Sequence, residues 1–455
     1  MDVVALGESM VTFLPSRAGR LADVPSFHRA IGGAESNVAC VLAAAGHSAR
    51  WVSRVGADGF GQHLVERITG YGVDTGAVCT DPDRPTGIYF RTAADRDTDA
   101  HEVAYYRAGS AASAMSVADV DLAAARSGRV LHLSGITAAL SGTCLELMRE
   151  LTAPRPGRPL VSFDVNHRPA LWPDADGPQV LLELARRADI VFVGADEARR
   201  AWGLHGGRAI LEALAGPAVV VVKQGRGGAT AFERHTGGFE GLDTGGFAGW
   251  DNGGFEGLDI RGSGGRGGAG FGGLGAVEVE GRGAVGGEGR GADGFGGRGA
   301  DGVEGRGADG FEDRGADAAE DRGTDGVEDR GTDGAEGCGA DGFGGRGADG
   351  AEDADGRAVF VPAPDVDVVA HVGAGDAFAA GFLSATLRRL PLRDRLRHGH
   401  LFAAAALTTP GDLAAPPARD HADRLAALDD AAWGRLRLGP GWTQAEQAEE
   451  EANIP

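Results

Sequence analysis

Gly373-Ala374-Gly375-Asp376-Ala377-Phe378 opens a helical pattern near the C-terminal end of the chain. Phe378, Phe382, Leu383 and Leu387 fall on one face of that helix, and Arg388 and Arg389 complement the negative end of its dipole. The glycines allow the backbone N–H groups of Ala374, Gly375 and Asp376 to converge at the helix N-terminus. Such a cluster is an anion hole suited to charge developing on a transferring phosphoryl group. Asp376 has two readings at that opening. Its carboxylate can cap the helix, or it can take a proton from a substrate hydroxyl. The motif alone leaves both open.

A second glycine pair opens a helix near the other end, in Ile31-Gly32-Gly33-Ala34-Glu35-Ser36-Asn37-Val38-Ala39. Gly33 permits a ligand to approach the backbone, and Asn37 can hydrogen-bond a hydroxyl; a tight turn with a helix cap would explain the same residues. Between the two motifs, short apolar runs alternate with helical patterns, which predicts an α/β fold with a largely parallel sheet. Strands are expected at Val3–Leu6, Trp51–Val55, Val130–Leu133, Leu160–Phe163, Asp189–Val193 and Ala218–Val222, and helices at Ser36–Ala45 and Gly61–Thr69. The runs at 130–133 and 219–222 suit strands buried on both faces. Met10–Leu14, Gly87–Arg91 and Val103–Arg107 alternate apolar and polar residues without crossover helices. They read as antiparallel strands of a small lid sheet with one solvated face.

Of the 79 glycines among 455 residues, most lie between about 236 and 355. That block holds 27 of the 66 acidic residues but only 10 of the 44 basic ones, so it carries −17 of the formal charge of −22. Residues 290–353 run through eight octads, with an Asp recurring from Asp293 to Asp349. A calcium-binding β-roll uses nine-residue repeats with a steady apolar slot. Here the period is eight and the slot wavers between Phe, Val and Ala, so the composition points to a solvated, disordered tract. Ala229–Glu233 and Val359–Pro362 flank the block as two strands of one hairpin, which makes it an expanded hairpin loop. The organisation expected is a core at 1–234 and 357–439, the insertion at 235–356, and an acidic tail at 440–455. Neither part has the basic stripe that nucleic acid requires. No run approaches the ~20 apolar residues of a membrane span. The N-terminus lacks the features of a signal peptide, and the four cysteines lack paired spacing. A cytoplasmic location is the expectation.

There is no Gly-x-x-x-x-Gly-Lys-Ser/Thr motif. Instead, Gly32-Gly33-Ala34-x-x-Asn37-Val38-Ala39 and Gly373-Ala-Gly-Asp-Ala-Phe-Ala-Ala-Gly-Phe382, in that order, resemble the two signatures of the ribokinase-like (PfkB) carbohydrate kinases. Trp51–Gly61 is a familiar segment of the same family. The resemblance covers 1–233 and 357–420. It implies a doubly wound, mostly parallel sheet with helices on both faces, plus a β-sheet lid. Within the family the chain is most similar to the 2-keto-3-deoxygluconate kinases. The segments carrying this are Gly7–Phe13, Thr86–Phe90, Tyr105–Ser113, Leu133–Ile136 and Phe163–Pro169.

The resemblance implies ATP and Mg²⁺ as cofactors, with Asp376 as catalytic base beside the Gly373, Ala374 and Gly375 anion hole. It places Gly33, Asn37, Tyr89, Tyr105, Arg107, Ile136, Arg168 and Asp412 around a sugar acid. Arg107 and Arg168 would clamp the carboxylate, although each read alone is an ordinary ion-pair partner. Lys223, Gly225 and Gly228 match a turn beneath ATP, where a plain hairpin is the other reading. Glu197 matches a residue that organises Mg²⁺ indirectly. Two departures stand out: Gly194 replaces the Asn three residues before that Glu, and Ala370-His371-Val372 replaces Asp-Thr-Thr. The implied partners are the small-molecule sugar acid and ATP, with a homodimer through the lid strands. A fructokinase- or ribokinase-type specificity is the alternative, and a non-catalytic scaffold using the repeats is a third reading.

Overall fold

The computed structural model describes residues 1–17, 19–92, 102–172, 176–234 and 357–444. The expectations for the 235–356 insertion and for most of the acidic tail lie outside the described residues. The strands of the two larger sheets are β1 (Val3–Leu6), β2 (Met10–Pro15), β3 (Phe27–Gly32), β4 (Ala49–Gly56), β5 (Asp74–Asp81), β6 (Ile88–Arg91) and β7 (Val103–Tyr106). They continue as β8 (Val130–Ser134), β9 (Leu160–Asp164), β10 (Ile190–Gly194), β11 (Val219–Lys223), β12 (Ala229–Glu233) and β13 (Arg357–Val361). Nine of them form one sheet in the order β13-β12-β11-β10-β9-β8-β1-β4-β5. From β11 to β5 every pair is parallel, and β12 and β13 close that edge as an antiparallel hairpin.

The apolar runs explain why this sheet sits at the centre. Within β11, Val220 and Val222 pack into the cluster of Leu147, Met148 and Leu181, while Val219 and Val221 pack against Phe382 and Leu401 on the opposite face. A strand covered on both faces needs apolar residues at successive positions, not alternate ones. Each such side chain contributes about 1.5–3 kcal/mol by leaving water. The helix Ala374–Leu387 lies on the second face, where Phe192 meets Phe382 edge-on at 5.4 Å. Helix Ala34–Ala44 packs beside it. Asp58 caps the helix Gly59–Gly70, accepting from the N–H groups of Phe60 and Gly61 at 3.0 and 2.8 Å.

The lid is a separate four-stranded sheet in the order β3-β2-β6-β7. One expectation is corrected here. β2 pairs β6 in parallel, and only β2 with β3 and β6 with β7 are antiparallel. Alternation reveals which face of a strand is buried but not the direction of its neighbour. The true hairpin partner of β2 is β3, whose His28 and Arg29 hid its strand character. β5 also went unforeseen, because its sequence Asp-Thr-Gly-Ala-Val-Cys-Thr-Asp has little apolar bulk and it forms a half-exposed edge. Stacking of Phe13 on Phe90 at 4.7 Å, with Phe27 edge-on to Phe90 at 5.2 Å, holds one face of the lid together.

The hairpin around the insertion forms as read from the sequence: Ala229 pairs with Val361 and Glu233 with Arg357. Among the described residues no helix is long and apolar enough to cross a membrane, and Cys40, Cys79 and Cys144 are free thiols. Because Glu233 and Arg357 already lie opposite one another, a short turn joining Arg234 to Arg357 is compatible with the ladder. Replacing 235–356 in this way should preserve the far-ultraviolet circular dichroism of the core and a single cooperative melt, with no lowering of the melting temperature, since a shorter loop costs less closure entropy.

Candidate active site

In an open parallel sheet, ligands bind beyond the carboxyl ends of the strands. Here those ends deliver Glu8 after β1, Ser134–Ile136 after β8, Asp164–Arg168 after β9, Gly194–Glu197 after β10 and Lys223–Gly228 after β11. The sequence-predicted residues from these segments therefore share one edge of the sheet.

The helix Ala374–Leu387 begins at the same edge. Its N-cap is Gly373, at φ 80° and ψ −10°, a left-handed conformation that favours glycine. A Cβ there would also drive into the backbone of Asp412. Asp376 is therefore not the cap. Its Oδ2 accepts instead from Asn37 Nδ2 at 2.8 Å, across the two glycine-opened helices. The first N–H groups of the helix have no intrahelical acceptor, so they remain available beside that carboxylate. Burial is the main influence on Asp376 and pushes its pKa up to about 7, opposed by the Asn37 hydrogen bond. The nearby charge of Asp164 adds to the rise, and those of Lys223 and Arg168 oppose it.

Lys223 lies next to this group. Its Nζ forms an ion pair with Asp164 Oδ2 at 2.8 Å and sits 3.7 Å from where a Cβ on Gly375 would be. Burial works against its charge, yet Asp164 and Glu197 outweigh that and hold its pKa above the ordinary lysine value. Gly225–Gly227 forms the turn into β12, closed by Gln224 N–H donating to the Gly228 carbonyl at 2.8 Å. The hairpin reading of this segment and its position at the site edge hold together. Glu197 accepts from the backbone N–H of Gly194 at 2.9 Å and from that of His167. Burial and the Asp164 charge raise its pKa.

On the lid side, Tyr89 and Arg91 project from β6 and both bond Asp412, the Arg91–Asp412 ion pair at 2.7 Å. Arg107 is paired with the buried Glu8, whose other oxygen accepts from Ser110 Oγ at 2.5 Å. Arg107 also lies 5.8 Å from the ring of Tyr105, which is more than half exposed. Arg168 differs: it is exposed, and its charge acts on Asp376. Ile136 is half-buried, with its N–H donating to Ser134 Oγ at 3.2 Å. Gly33 packs against the backbone of Glu8 and Ser9. Beneath them the fully buried Glu35 accepts from Ser134 Oγ and Thr137 Oγ1 at 2.8 and 2.7 Å, tying the Gly33 loop to the Ile136 loop.

Comparison with protein families matches residues 1–241 and 343–419 to the pfkB family carbohydrate kinases. The chain belongs to the pfkB family. Among curated relatives of this pfkB protein, it is 36% identical over 198 residues to 2-dehydro-3-deoxygluconokinase of Thermoproteus tenax, covering 43% of this chain and 58% of that one. The corresponding Bacillus subtilis (strain 168) protein is 34% identical over 234 residues, covering 50% and 72%. Fructokinase-1 of Oryza sativa subsp. japonica is 33% identical over 193 residues, covering 42% and 59%. The matches thus span a little over half the length of two of these three relatives. Among solved structures, the PfkB protein from Polaromonas sp. JS666 matches with TM-score 0.59 and 26% identity, over 93% of this chain and 99% of that one. The 2-dehydro-3-deoxygluconokinase of Thermotoga maritima matches with TM-score 0.58 and 17% identity, over 94% and 98%. The fold is ribokinase-like.

Sequence reasoning gave no role to Glu8, Glu35, Arg91 or Asp164, each of which bonds a site residue or a site loop. A signal for Asp164 existed: it is the charge that ends the apolar run of β9. The residues do not build a resident metal cage. No group of three or more metal-binding side chains occurs among the described residues, and both Glu197 oxygens already accept backbone N–H groups.

The raised Asp376 pKa has a sign that stability measurements can read. The folded form holds this proton more tightly than the unfolded chain, whose carboxyl titrates near 3.8. Stability is therefore fully present below that value and declines as pH rises toward about 7. Asp376→Asn should melt higher than the parent at about pH 8, by on the order of a few kcal/mol, and the gap should close near about pH 4.

Proposed function

We propose that the protein transfers the γ-phosphoryl group of ATP to a sugar acid, most specifically 2-keto-3-deoxygluconate, giving 2-keto-3-deoxy-6-phosphogluconate. The observation carrying this is the Asp376 carboxyl, held by Asn37 at the mouth of a glycine-capped helix with a pKa of about 7. A base poised near neutrality accepts a proton most usefully. In the reaction, the substrate hydroxyl oxygen bonds the γ-phosphorus and its proton passes to Asp376. The bond to the bridging oxygen breaks, and ADP leaves with the electron pair. The N–H groups of Ala374, Gly375 and Asp376 face the charge on the transferring group. Lys223 and the Gly225–Gly228 turn lie on the nucleotide side.

Arg168 supports the acid reading, because it is exposed and free of a carboxylate partner among the described residues. The 2-dehydro-3-deoxygluconokinase relatives support it too. Fructose is the second reading. Arg107 is already neutralised by Glu8, and a fructokinase is 33% identical. The lid would exclude water from the reacting centre, and its exposed Tyr105 and Tyr106 suit contact with a second copy.

Coupled ADP-release assays across neutral sugars and sugar acids decide between the readings. The parent should prefer 2-keto-3-deoxygluconate, Asp376→Asn should lose about 10³-fold or more in kcat, and Arg168→Gln should raise KM for acids about ten-fold or more while sparing neutral sugars. Preference for fructose, or an Asp376→Asn variant as active as the parent, would overturn the assignment.

A further inference from the structure

Asp164 and Lys223 form an ion pair that the role of a turn beneath the nucleotide does not explain. Both stand at carboxyl ends of central strands, Asp164 on β9 and Lys223 on β11, with β10 between them. Asp164 is almost wholly buried, whereas the Lys223 side chain keeps about a fifth of its surface open. The pair therefore has a fixed end and a reaching end. A lysine ammonium has three donors. Asp164 takes one at 2.8 Å, and the ammonium lies toward Gly375, where the absence of a side chain leaves the approach to the helix N-terminus clear.

The charges around this point argue for a ligand. Asp164, Glu197 and Asp376 are three carboxyl groups from three elements, and each acts electrostatically on Lys223. The cations acting on Asp376 are Lys223 and Arg168, and Arg168 is on the exposed segment after β9. His132, deeper in the sheet, is kept neutral by burial, its pKa lowered to about 4. A terminal phosphate entering among three carboxyl groups needs a cation within hydrogen-bond reach of the helix N–H groups. Lys223 is placed there, and without Asp164 its flexible stem would not be held at one position.

We propose that Lys223 is a catalytic residue whose ammonium bonds the terminal phosphoryl group of the nucleotide, and that Asp164 is the positioning residue that holds it at the helix N-terminus. This rests on the phosphotransferase reading above. As the phosphorus passes from the bridging oxygen of ATP to the substrate oxygen, with the proton going to Asp376 and the electron pair to ADP, the ammonium stays on the moving group.

Calorimetry with ADP and with adenylyl imidodiphosphate, a non-hydrolysable ATP, tests this without any sugar. Lys223→Met should weaken the triphosphate analogue about ten-fold to a hundred-fold and leave ADP within about two-fold. Asp164→Asn should weaken the analogue in the same selective way, and the double variant should be no weaker than Lys223→Met alone. If Lys223→Met does not fold, Lys223→Gln carries the same comparison. Equal weakening of both nucleotides, or of neither, would overturn the inference, as would an Asp164→Asn variant whose only defect is a higher Mg²⁺ requirement in turnover. A parent protein that binds neither nucleotide would overturn the phosphotransferase reading itself and this inference with it. A parent that binds both equally well in all variants would overturn the inference alone.

Discussion

The structure turns on the start of the helix Ala374–Leu387. Gly373 has to adopt a left-handed conformation while its α-carbon lies against the Asp412 backbone, and no other residue does both without strain. That one constraint sets where the helix begins, and so where Asp376 stands. The same Asp412 sends its side chain to Tyr89 and Arg91 on the lid strand β6. The lid and the helix mouth are thus joined through one residue, its backbone touching one and its carboxylate the other.

Charge pairing recurs throughout the site. Arg91 with Asp412, Arg107 with Glu8 and Lys223 with Asp164 each match a cation to a buried carboxylate. Removing one member of such a pair leaves the other desolvated and unpaired, which is why these contacts resist piecemeal change. The pairing also reshapes the idea of a two-arginine clamp. Arg107 does not present a bare charge, whereas Arg168 is exposed.

Much of the fold could be read from the sequence because its central strands are buried on both faces. Continuous runs such as Val219–Val222 are hard to mistake, and the two glycine-opened helices stand out at either end. The lid was harder. β3 exposes two successive polar residues, His28 and Arg29, which breaks the alternation expected of a strand, and no periodicity states whether β2 and β6 run together or opposed. In the site, backbone motifs were legible and side-chain partnerships were not. Asn37 and Asp376 were each visible, but their hydrogen bond spans 339 positions. Glu8 and Asp164 fall just beyond the strands expected at Val3–Leu6 and Leu160–Phe163, where nothing local marks a partner. Only packing shows which cation each of them meets.

That long span has a consequence for biosynthesis. The N-terminal helix bearing Asn37 emerges early from the ribosome, whereas Asp376 follows the whole 235–356 insertion. Domains tend to form from the N-terminus as the chain is made. The nascent sheet therefore presents its strand ends while the Asp376 carboxylate that Asn37 holds is still untranslated. Completion of the site is a late event of synthesis, dependent on the chain beyond the insertion folding back onto a partner made hundreds of residues before.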